Sequence, residues 1–306
     1  MHYSRNFLYR ATIGLSISIK FRLSRDKYIE HAFPKISDNF YKNTTMVVTT
    51  YNESDRIEGF LLSIPKSINL LVVDNFSSDD TREKVKKTRP NNTKFIQIKN
   101  PGHHDKNTIK KIMENIASEW AIFTIVSERW SHNLLARVDT LISSGDYDSI
   151  FIPRKSITNG FVSHLTCELL RLRLRKNKTS FKSKLSYKVL KPEVWDFERS
   201  VIHSEFPTKA EALRKHILLP NSDEILVHIR QGDSMTELSK IRNYATFDLK
   251  ESDHIKIAKQ IFSAVIFFIV SCICHLSSFT LTSVALRANV FQSYYRILVA
   301  ISNIKK

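Results

Sequence analysis

Several residue types that mark specialised proteins are scarce in this chain. Its 306 residues include only three cysteines, six glycines and eight prolines. So few cysteines exclude a disulfide scaffold and fit a reducing cytosol, while so few glycines and prolines exclude collagen-like and low-complexity chains. Cys272 and Cys274 lie beside His275 in an apolar run. We interpret this group as packing rather than a metal site, because free cysteine usually behaves as a small hydrophobe.

Acidic residues are also scarce relative to basic ones. The chain has 47 Lys and Arg against 30 Asp and Glu, which gives a formal charge of +17. A charge of this size favours an anionic partner, either a nucleic acid or a membrane surface. The sequence contains no zinc finger, basic zipper or RNP pattern. We therefore predict an anionic membrane surface as a partner and no nucleic acid, with nucleic-acid binding as the minor alternative.

Hydrophobic residues make up 42% of the chain, which is enough for a folded core. Three regions are predicted: a basic N-terminal extension without a recognisable secretory signal (1–44), a main domain (45–250), and an apolar and basic membrane-associated helical segment (251–306). In the last region, Ile261–Cys274 is uncharged and has about 14 residues, fewer than the roughly 20 that span a bilayer. A single span, an interfacial or re-entrant segment, and a buried core helix are the three interpretations.

The main domain begins with an alternation of two patterns. Unbroken apolar runs of strand length are each followed by a stretch with helical spacing. The runs are Thr45–Thr50, Ile68–Val73, Lys94–Ile98 and Ala121–Val126. This alternation predicts an α/β fold with a mostly parallel central sheet, helices on both faces, and a ligand site beyond the carboxyl ends of the strands.

A second pattern makes the predicted sheet a mixed one. Asn159-Gly160 lies between the apolar runs 149–157 and 161–165, which is typical of a β-hairpin with a two-residue turn. Leucines and arginines then alternate over 170–175, a pattern that as a strand would place three arginines on one face. We therefore expect an antiparallel region after the parallel one.

Two polar motifs at the ends of the first two predicted strands resemble a known family. The first reads VVTTYNE from Val47 to Glu53, with Arg56 following; the second reads LVVDNFSSDDT from Leu71 to Thr81. Together they resemble the opening of family 2 glycosyltransferases. The resemblance covers about 45–247 and implies the GT-A fold and transfer of a sugar from a nucleotide donor.

Two further stretches resemble one branch of that family. Glu119-Trp120 precedes the fourth apolar run, and the residues LVHIR occupy 226–230. Both are similar to the branch that includes bacterial lipopolysaccharide-core glucosyltransferases.

The resemblance and the chemistry of a nucleotide point to the same donor residues. Asp74 ends an apolar strand, where its carboxylate could accept hydrogen bonds from a base N–H and from ribose hydroxyls. Capping of a turn or helix is the alternative. The other residues of the predicted nucleotide-sugar site are Thr49, Tyr51, Glu53 and Ser127.

The metal motif of the family is degenerate in this chain. In the family, two aspartates hold a divalent metal on the donor diphosphate; here Ile125 and Ser127 stand at those positions when Glu128 and Arg129 are aligned. Mg²⁺ and Mn²⁺ prefer carboxylate oxygens, so no metal cofactor is assigned, and either ion would have to bind without the acidic pair. Basic side chains would then neutralise the leaving diphosphate. The candidates at the diphosphate and acceptor are Arg171, Arg173, His228, Arg230 and Lys240.

An inverting transfer also needs a base that takes the proton of the acceptor hydroxyl. His203 and Glu205 lie roughly where the resembling branch has a His-Glu pair, and Glu128 is a further candidate. These three are the predicted catalytic residues, and an ordinary polar role is the alternative for each.

The sequence as a whole predicts a bacterial glycosyltransferase of cell-surface glycan synthesis. It would transfer a hexose from a UDP-linked donor to a lipid- or polysaccharide-linked acceptor. Its predicted location is the cytoplasmic face of the inner membrane, as a peripheral or single-span protein. The alternative is a catalytically inactive GT-A-like nucleotide-binding or membrane scaffold protein, which the lost acidic pair motivates.

Overall fold

The computed structural model describes residues 35–99, 106–158, 161–165, 188–196, 214–218, 224–230 and 254–302. The chain divides into two compact units. The sheet unit comprises residues 32–153 and 179–228, and the hairpin unit comprises residues 1–31, 154–178 and 229–306. Several of the predicted site residues lie outside the described ranges: Arg171, Arg173, His203, Glu205 and Lys240.

The described helices and strands are numbered in chain order. The helices are α1 (Asp38–Asn43), α2 (Ile57–Leu61), α3 (Thr81–Thr88), α4 (Lys106–Glu114), α5 (His132–Ser143), α6 (His254–Ser277) and α7 (Ser283–Ser302). The strands are β1 (Thr44–Thr50), β2 (Asn69–Asp74), β3 (Thr93–Gln97), β4 (Trp120–Ile125), β5 (Glu128–Trp130), β6 (Ser149–Phe151), β7 (Lys155–Thr158), β8 (Phe161–Leu165), β9 (Val189–Leu190), β10 (Lys215–Ile217) and β11 (Leu226–Arg230).

A mixed sheet forms the centre of the sheet unit, with the strand order β10-β6-β9-β4-β1-β2-β3. β1 runs parallel to β2 and to β4, and β2 runs parallel to β3. β9 is antiparallel to both of its neighbours, β4 and β6. Beside this sheet, β5 pairs with the start of β11 in an antiparallel register that places Glu128 opposite His228. The predicted mostly parallel, mixed sheet is confirmed.

Both faces of the central strands are buried. In β1, Met46 and Val48 pack into one core cluster, while Val47 between them points to the other face and is equally buried. Such unbroken apolar strands are expected where a parallel sheet is covered on both sides. Helices α2 and α5 contribute buried residues to the same cluster, including Phe60 and Leu134.

The core begins before the predicted boundary at residue 45. Ser37 is the N-cap of α1, and its side chain accepts a hydrogen bond from the backbone N–H of Phe40. Phe40 is buried in the core cluster. Asp139 of α5 accepts hydrogen bonds from the backbone and side chain of Ser37, at 2.7 and 2.8 Å. The described end of the predicted extension therefore packs as part of the sheet unit.

The predicted hairpin forms between β7 and β8. These strands are antiparallel, and Thr158 pairs directly with Phe161 across the turn. The predicted run 149–157 is not one strand, because residues 152–154 separate β6 from β7 and include Pro153, which has no N–H to give to a ladder. The predicted strand at 170–175 lies outside the described residues.

Two long helices make up the rest of the described hairpin unit. α6 and α7 are joined by a short turn in which Phe279 has a φ of 53°. The turn is closed by hydrogen bonds from the backbone N–H groups of Phe279 and Thr280 to carbonyls in the last turn of α6. No helix within the described ranges is both long enough and apolar enough to cross a membrane.

Candidate active site

The loops that follow β1 and β2 are joined to each other at the carboxyl edge of the sheet. The backbone N–H of Asn52 donates to Ser77 Oγ at 2.8 Å, and the backbone N–H of Ser78 donates to Asn52 Oδ1 at 2.9 Å. Asn52 and Phe76 have φ values of 51° and 57°, in the left-handed region where asparagine is enriched and phenylalanine is uncommon. The two polar motifs therefore meet at the carboxyl edge of the sheet, where the ligand site was expected.

A second set of bonds fixes the start of α3 to the same loop. The backbone N–H of Glu53 donates to Thr81 Oγ1 at 2.8 Å, and that of Ser54 donates to Asp79 Oδ2 at 2.9 Å. Burial alone would raise the pKa of Asp79, but the hydrogen bonds from Thr81 and Ser54 outweigh it and hold the pKa at about 2. Asp79 is thus a charged anchor between the two loops.

Asp74 organises the turn after β2. Its side chain is 1% exposed and accepts from Thr50 Oγ1 at 2.9 Å, from the backbone N–H of Ser77 at 2.9 Å, and from Gln97 Nε2 at 3.2 Å. The Ser77 hydroxyl donates to it as well. This is the capping geometry that the sequence offered as the alternative, and a contact with a nucleotide stays a prediction.

The other predicted donor residues differ strongly in exposure. Tyr51 is 60% exposed, and so its ring is available for stacking at this edge. Glu53 forms a bidentate ion pair with Arg56, at 2.8 and 2.7 Å. Thr49 is half-buried between Val73 and Ile125 of the neighbouring strands. Sequence reasoning missed Phe76, a second exposed aromatic ring on the joined loops.

A buried ion pair lies beyond the end of β4. Glu128 is fully buried, and its two carboxylate oxygens lie 2.9 and 3.1 Å from Lys188 Nζ. Thr124 Oγ1 donates to the same carboxylate at 2.9 Å and accepts from Trp130 Nε1 at 2.9 Å. A carboxylate held in this way has no accessible surface for an acceptor hydroxyl, so the geometry does not favour Glu128 as the base.

Lys188 is the residue of this network that sequence reasoning missed. Its backbone links two strands: the carbonyl accepts from the N–H of Phe123 at 2.7 Å, and its N–H donates to the carbonyl of Ile150 at 3.2 Å. This brings the ammonium to the end of β4, where the family's metal motif is aligned. No local sequence signal marks the residue.

Arg129 stabilises the turn between β4 and β5. Its Nη1 donates to the carbonyls of Val126 and Glu128, at 2.7 and 2.9 Å. The guanidinium also lies close over Gly59, where an added Cβ would come within 3.0 Å of Nη2. A side chain at position 59 would crowd the guanidinium of Arg129, and glycine avoids this close contact.

The described residues do not supply the ligands of a divalent cation. Ile125 ends β4 and has no ligating atom, Ser127 is buried, and both oxygens of Glu128 are engaged by Lys188. Within the described ranges, no three His, Cys, Asp or Glu residues are grouped so that they could hold a metal. The acidic pair of the family is therefore not replaced by other acids in the described part of the chain.

Two residues of the predicted phosphate and acceptor set, His228 and Arg230, lie in the described part of the chain. His228 lies in β11, opposite Glu128, and is half-buried. The backbone of Arg230 ends the same strand.

The fold and the matched residues agree on one class of protein. Residues 45–143 match the family described as Glycosyl transferase family 2. The match lies within the sheet unit, which has the α/β GT-A fold with a mixed central sheet. The matched residues include both motifs that resemble this family, and no curated protein sequence matches the chain.

Several solved structures are similar to this chain at low sequence identity. Mannosyltransferase PcManGT from Pyrobaculum calidifontis, in complex with GDP-Man and Mn²⁺, has a TM-score of 0.50 and 14% identity, covering 97% of this chain and 96% of that one. S. aureus TarS 1–349 in complex with UDP-GlcNAc has a TM-score of 0.43 and 20% identity, with coverages of 77% and 73%. Glucosyl-3-phosphoglycerate synthase from Mycobacterium tuberculosis, with Mn²⁺, UDP and glucosyl-3-phosphoglycerate, has a TM-score of 0.43 and 15% identity, with coverages of 70% and 81%.

Proposed function

We propose that the protein transfers a hexose from a nucleotide-sugar, with UDP as the nucleotide, to a lipid- or polysaccharide-linked acceptor in bacterial cell-surface glycan synthesis. The observation that carries the proposal is the pair of joined loops at the carboxyl edge of the sheet, inside the matched family domain. A nucleotide at this edge would meet the exposed ring of Tyr51 and the polar turn that Asp74 organises. The resemblance to the lipopolysaccharide-core branch supports the acceptor class.

The chemistry requires that the negative charge on the leaving diphosphate is stabilised. In a family site a divalent metal supplies that stabilisation when it is bound. In this chain, cationic side chains would do so, and the candidates are Arg171, Arg173, Arg230 and Lys240. The base that accepts the proton of the acceptor hydroxyl is assigned to Glu205 with His203, both by resemblance alone.

The catalytically inactive alternative is favoured by one specific observation. Ile125 and Ser127 occupy the positions of the acidic pair. The neighbouring acid, Glu128, is buried and forms an ion pair with Lys188. A protein of this kind would bind a nucleotide or a membrane surface and serve as a scaffold. Transfer or hydrolysis of any donor would exclude it.

Calorimetric titration with UDP, UDP-glucose and GDP-mannose, each with Mn²⁺ and with EDTA, tests the donor site. We expect binding of the uridine nucleotides, at least a tenfold loss of affinity in Tyr51→Ala, and no change in Leu62→Ala. Leu62 is a matched control because it is also 60% exposed and lies in the sheet unit. A folded protein that binds none of the three nucleotides would overturn the proposal.

A further inference from the structure

The pair of helices α6 and α7 has four polar residues on the inside: Ser271, His275, Asn289 and Ser293. Ser271 Oγ donates to Asn289 Oδ1 at 2.7 Å, and this bond joins the two helices. Ser293 Oγ of α7 donates to the carbonyl of Ala264 in α6 at 3.4 Å. All four residues are buried. His275 is buried beside the turn, where its Nδ1 lies 2.9 Å from Thr280 Oγ1.

Six large apolar residues of α6 lie on the outside, whereas Phe267 of the same helix is buried. The six recur every three or four residues, which places them on one face of the helix. Phe262 is 67% exposed, Ile269 is 47% exposed and Ile273 is 53% exposed. The full set of exposed large apolar residues on this face is Phe262, Val265, Ile266, Ile269, Ile273 and Leu276. Two residues of α7, Leu286 and Val290, are exposed as well.

A water-soluble helix pair buries its apolar stripe and hydrates its polar face, whereas here an apolar stripe of α6 is exposed and polar side chains join the helices inside. Hydrogen bonds between helices, with apolar side chains pointing outward, are typical of helices that contact lipid. A continuous apolar surface of this kind marks an interaction site. The question is which partner covers it.

The charge of the same segment selects the partner. Residues 254–306 contain no Asp or Glu, and their six Lys and Arg residues make the segment cationic. Arg287 and Arg296 lie on α7, and the Arg296 guanidinium stacks on Phe267 with its carbon 4.3 Å from the ring centroid. Two copies of such a segment would repel each other, whereas anionic lipid headgroups would attract each one.

We infer that the outward face of α6, with Leu286 and Val290 of α7, docks into the headgroup and acyl-chain boundary of an anionic bilayer. The apolar side chains enter the acyl region, and the basic residues remain at the headgroups. This inference concerns lipid binding alone and holds whether or not the protein transfers sugars.

Sedimentation of the full chain with vesicles tests the inference. The vesicles are pure phosphatidylcholine or a 3:1 mixture of phosphatidylcholine and phosphatidylglycerol. We expect binding to the mixed vesicles, weaker binding to the neutral ones, and at least a tenfold loss of binding in I269D/I273D. Leu62→Asp is the matched control, since it places the same charge at an equally exposed apolar position of the sheet unit, and it should bind as the wild type does.

A second double variant and circular dichroism distinguish loss of the apolar contacts from added charge and from unfolding. I269S/I273S removes the apolar contacts without adding charge, and circular dichroism should show wild-type helix content in both double variants. Wild-type vesicle binding by two folded double variants would overturn the inference. So would a wild-type dimer in lipid-free sedimentation equilibrium that the double substitutions dissociate, because a second copy would then cover the face.

Discussion

Lys188 and Glu128 are 60 positions apart in the sequence, yet the Lys188 ammonium lies 2.9 Å from a carboxylate oxygen of Glu128. The carboxylate is fully buried, and the lysine side chain is only 13% exposed. The pair ties the segment that enters β9 to the turn that follows β4. The ion pair therefore stabilises both the sheet and the turn that contains Ser127, one of the two positions aligned with the family's metal motif.

Removing the lysine should destabilise the sheet unit strongly. In Lys188→Met the carboxylate of Glu128 stays buried without its cation, and breaking a buried pair in this way costs about 3–5 kcal/mol. We expect a loss of that size in the free energy of urea unfolding. The double variant K188M/E128Q should recover much of it, because the uncompensated charge is gone. Equal losses in the single and double variants would show that the charge pair is not the cause.

Donor binding should not depend on a divalent cation. The described residues offer no acidic pair, since Ile125 and Ser127 stand at its positions and Glu128 is bound to Lys188. Calorimetry should give the same UDP affinity, within twofold, in Mn²⁺ and in EDTA. Any transfer activity should survive EDTA as well. Activity that disappears with EDTA and returns with Mn²⁺ would contradict this prediction.

Asp74→Asn should affect both stability and nucleotide binding. The carboxylate accepts from Thr50, Ser77 and Gln97, and an amide would turn one acceptor oxygen into a donor group. We expect a loss of about 1–3 kcal/mol in unfolding free energy, the usual cost of unsatisfied buried polar groups. UDP affinity, measured at a temperature where the variant is folded, should also fall.

Thr50→Val separates these two effects. It removes one donor to Asp74 but leaves the carboxylate in place. It should lower stability and keep UDP affinity near that of the wild type. If a folded Asp74→Asn variant binds UDP as the wild type does, Asp74 has no part in the donor site.

Acid should loosen the two joined loops through Asp79. The pKa of this carboxyl lies at about 2 in the folded protein, below its ordinary value of 3.8. A lowered pKa means that the charged form stabilises the fold above the ordinary value, and that this contribution is lost as the pH falls from about 4 to about 2. The melting temperature should therefore drop more steeply over this range in the wild type than in Asp79→Asn. Parallel pH profiles for the two proteins would refute the role of Asp79.

The first four strands and their polar ends were predictable from the sequence because their signals are local. β1, β2 and β4 are largely apolar runs because both of their faces are buried. β3 was recognised as a further short run after a helical stretch. The carboxyl ends of parallel strands meet at one edge of a sheet, so the joined loops followed from the same pattern. The sequence did not show that the carboxylate of Asp74 accepts hydrogen bonds from Thr50, Ser77 and Gln97.

The partner of Glu128 and the nature of α7 were not predictable in the same way. β9 is only two residues long, which is too short for a periodic pattern. The sequence therefore does not predict that Lys188 lies beside β4. The sequence of α7 contains the polar residues Asn289 and Ser293 among apolar ones. Their role is evident only in the structure, where they form hydrogen bonds with Ser271 and Ala264 of α6. In both cases the determining contact joins distant parts of the chain.

The antiparallel strand between β4 and β6 also has a consequence for biosynthesis. Both neighbours are complete once residue 151 has been made, but the strand that fills the gap between them is encoded at residues 189–190. A nascent chain therefore presents two open sheet edges while the intervening segment is still being translated. Open edges pair readily with foreign strands, and closure by a distant segment is slow. In the interval before Val189 and Leu190 leave the ribosome, these edges are therefore open to mispairing.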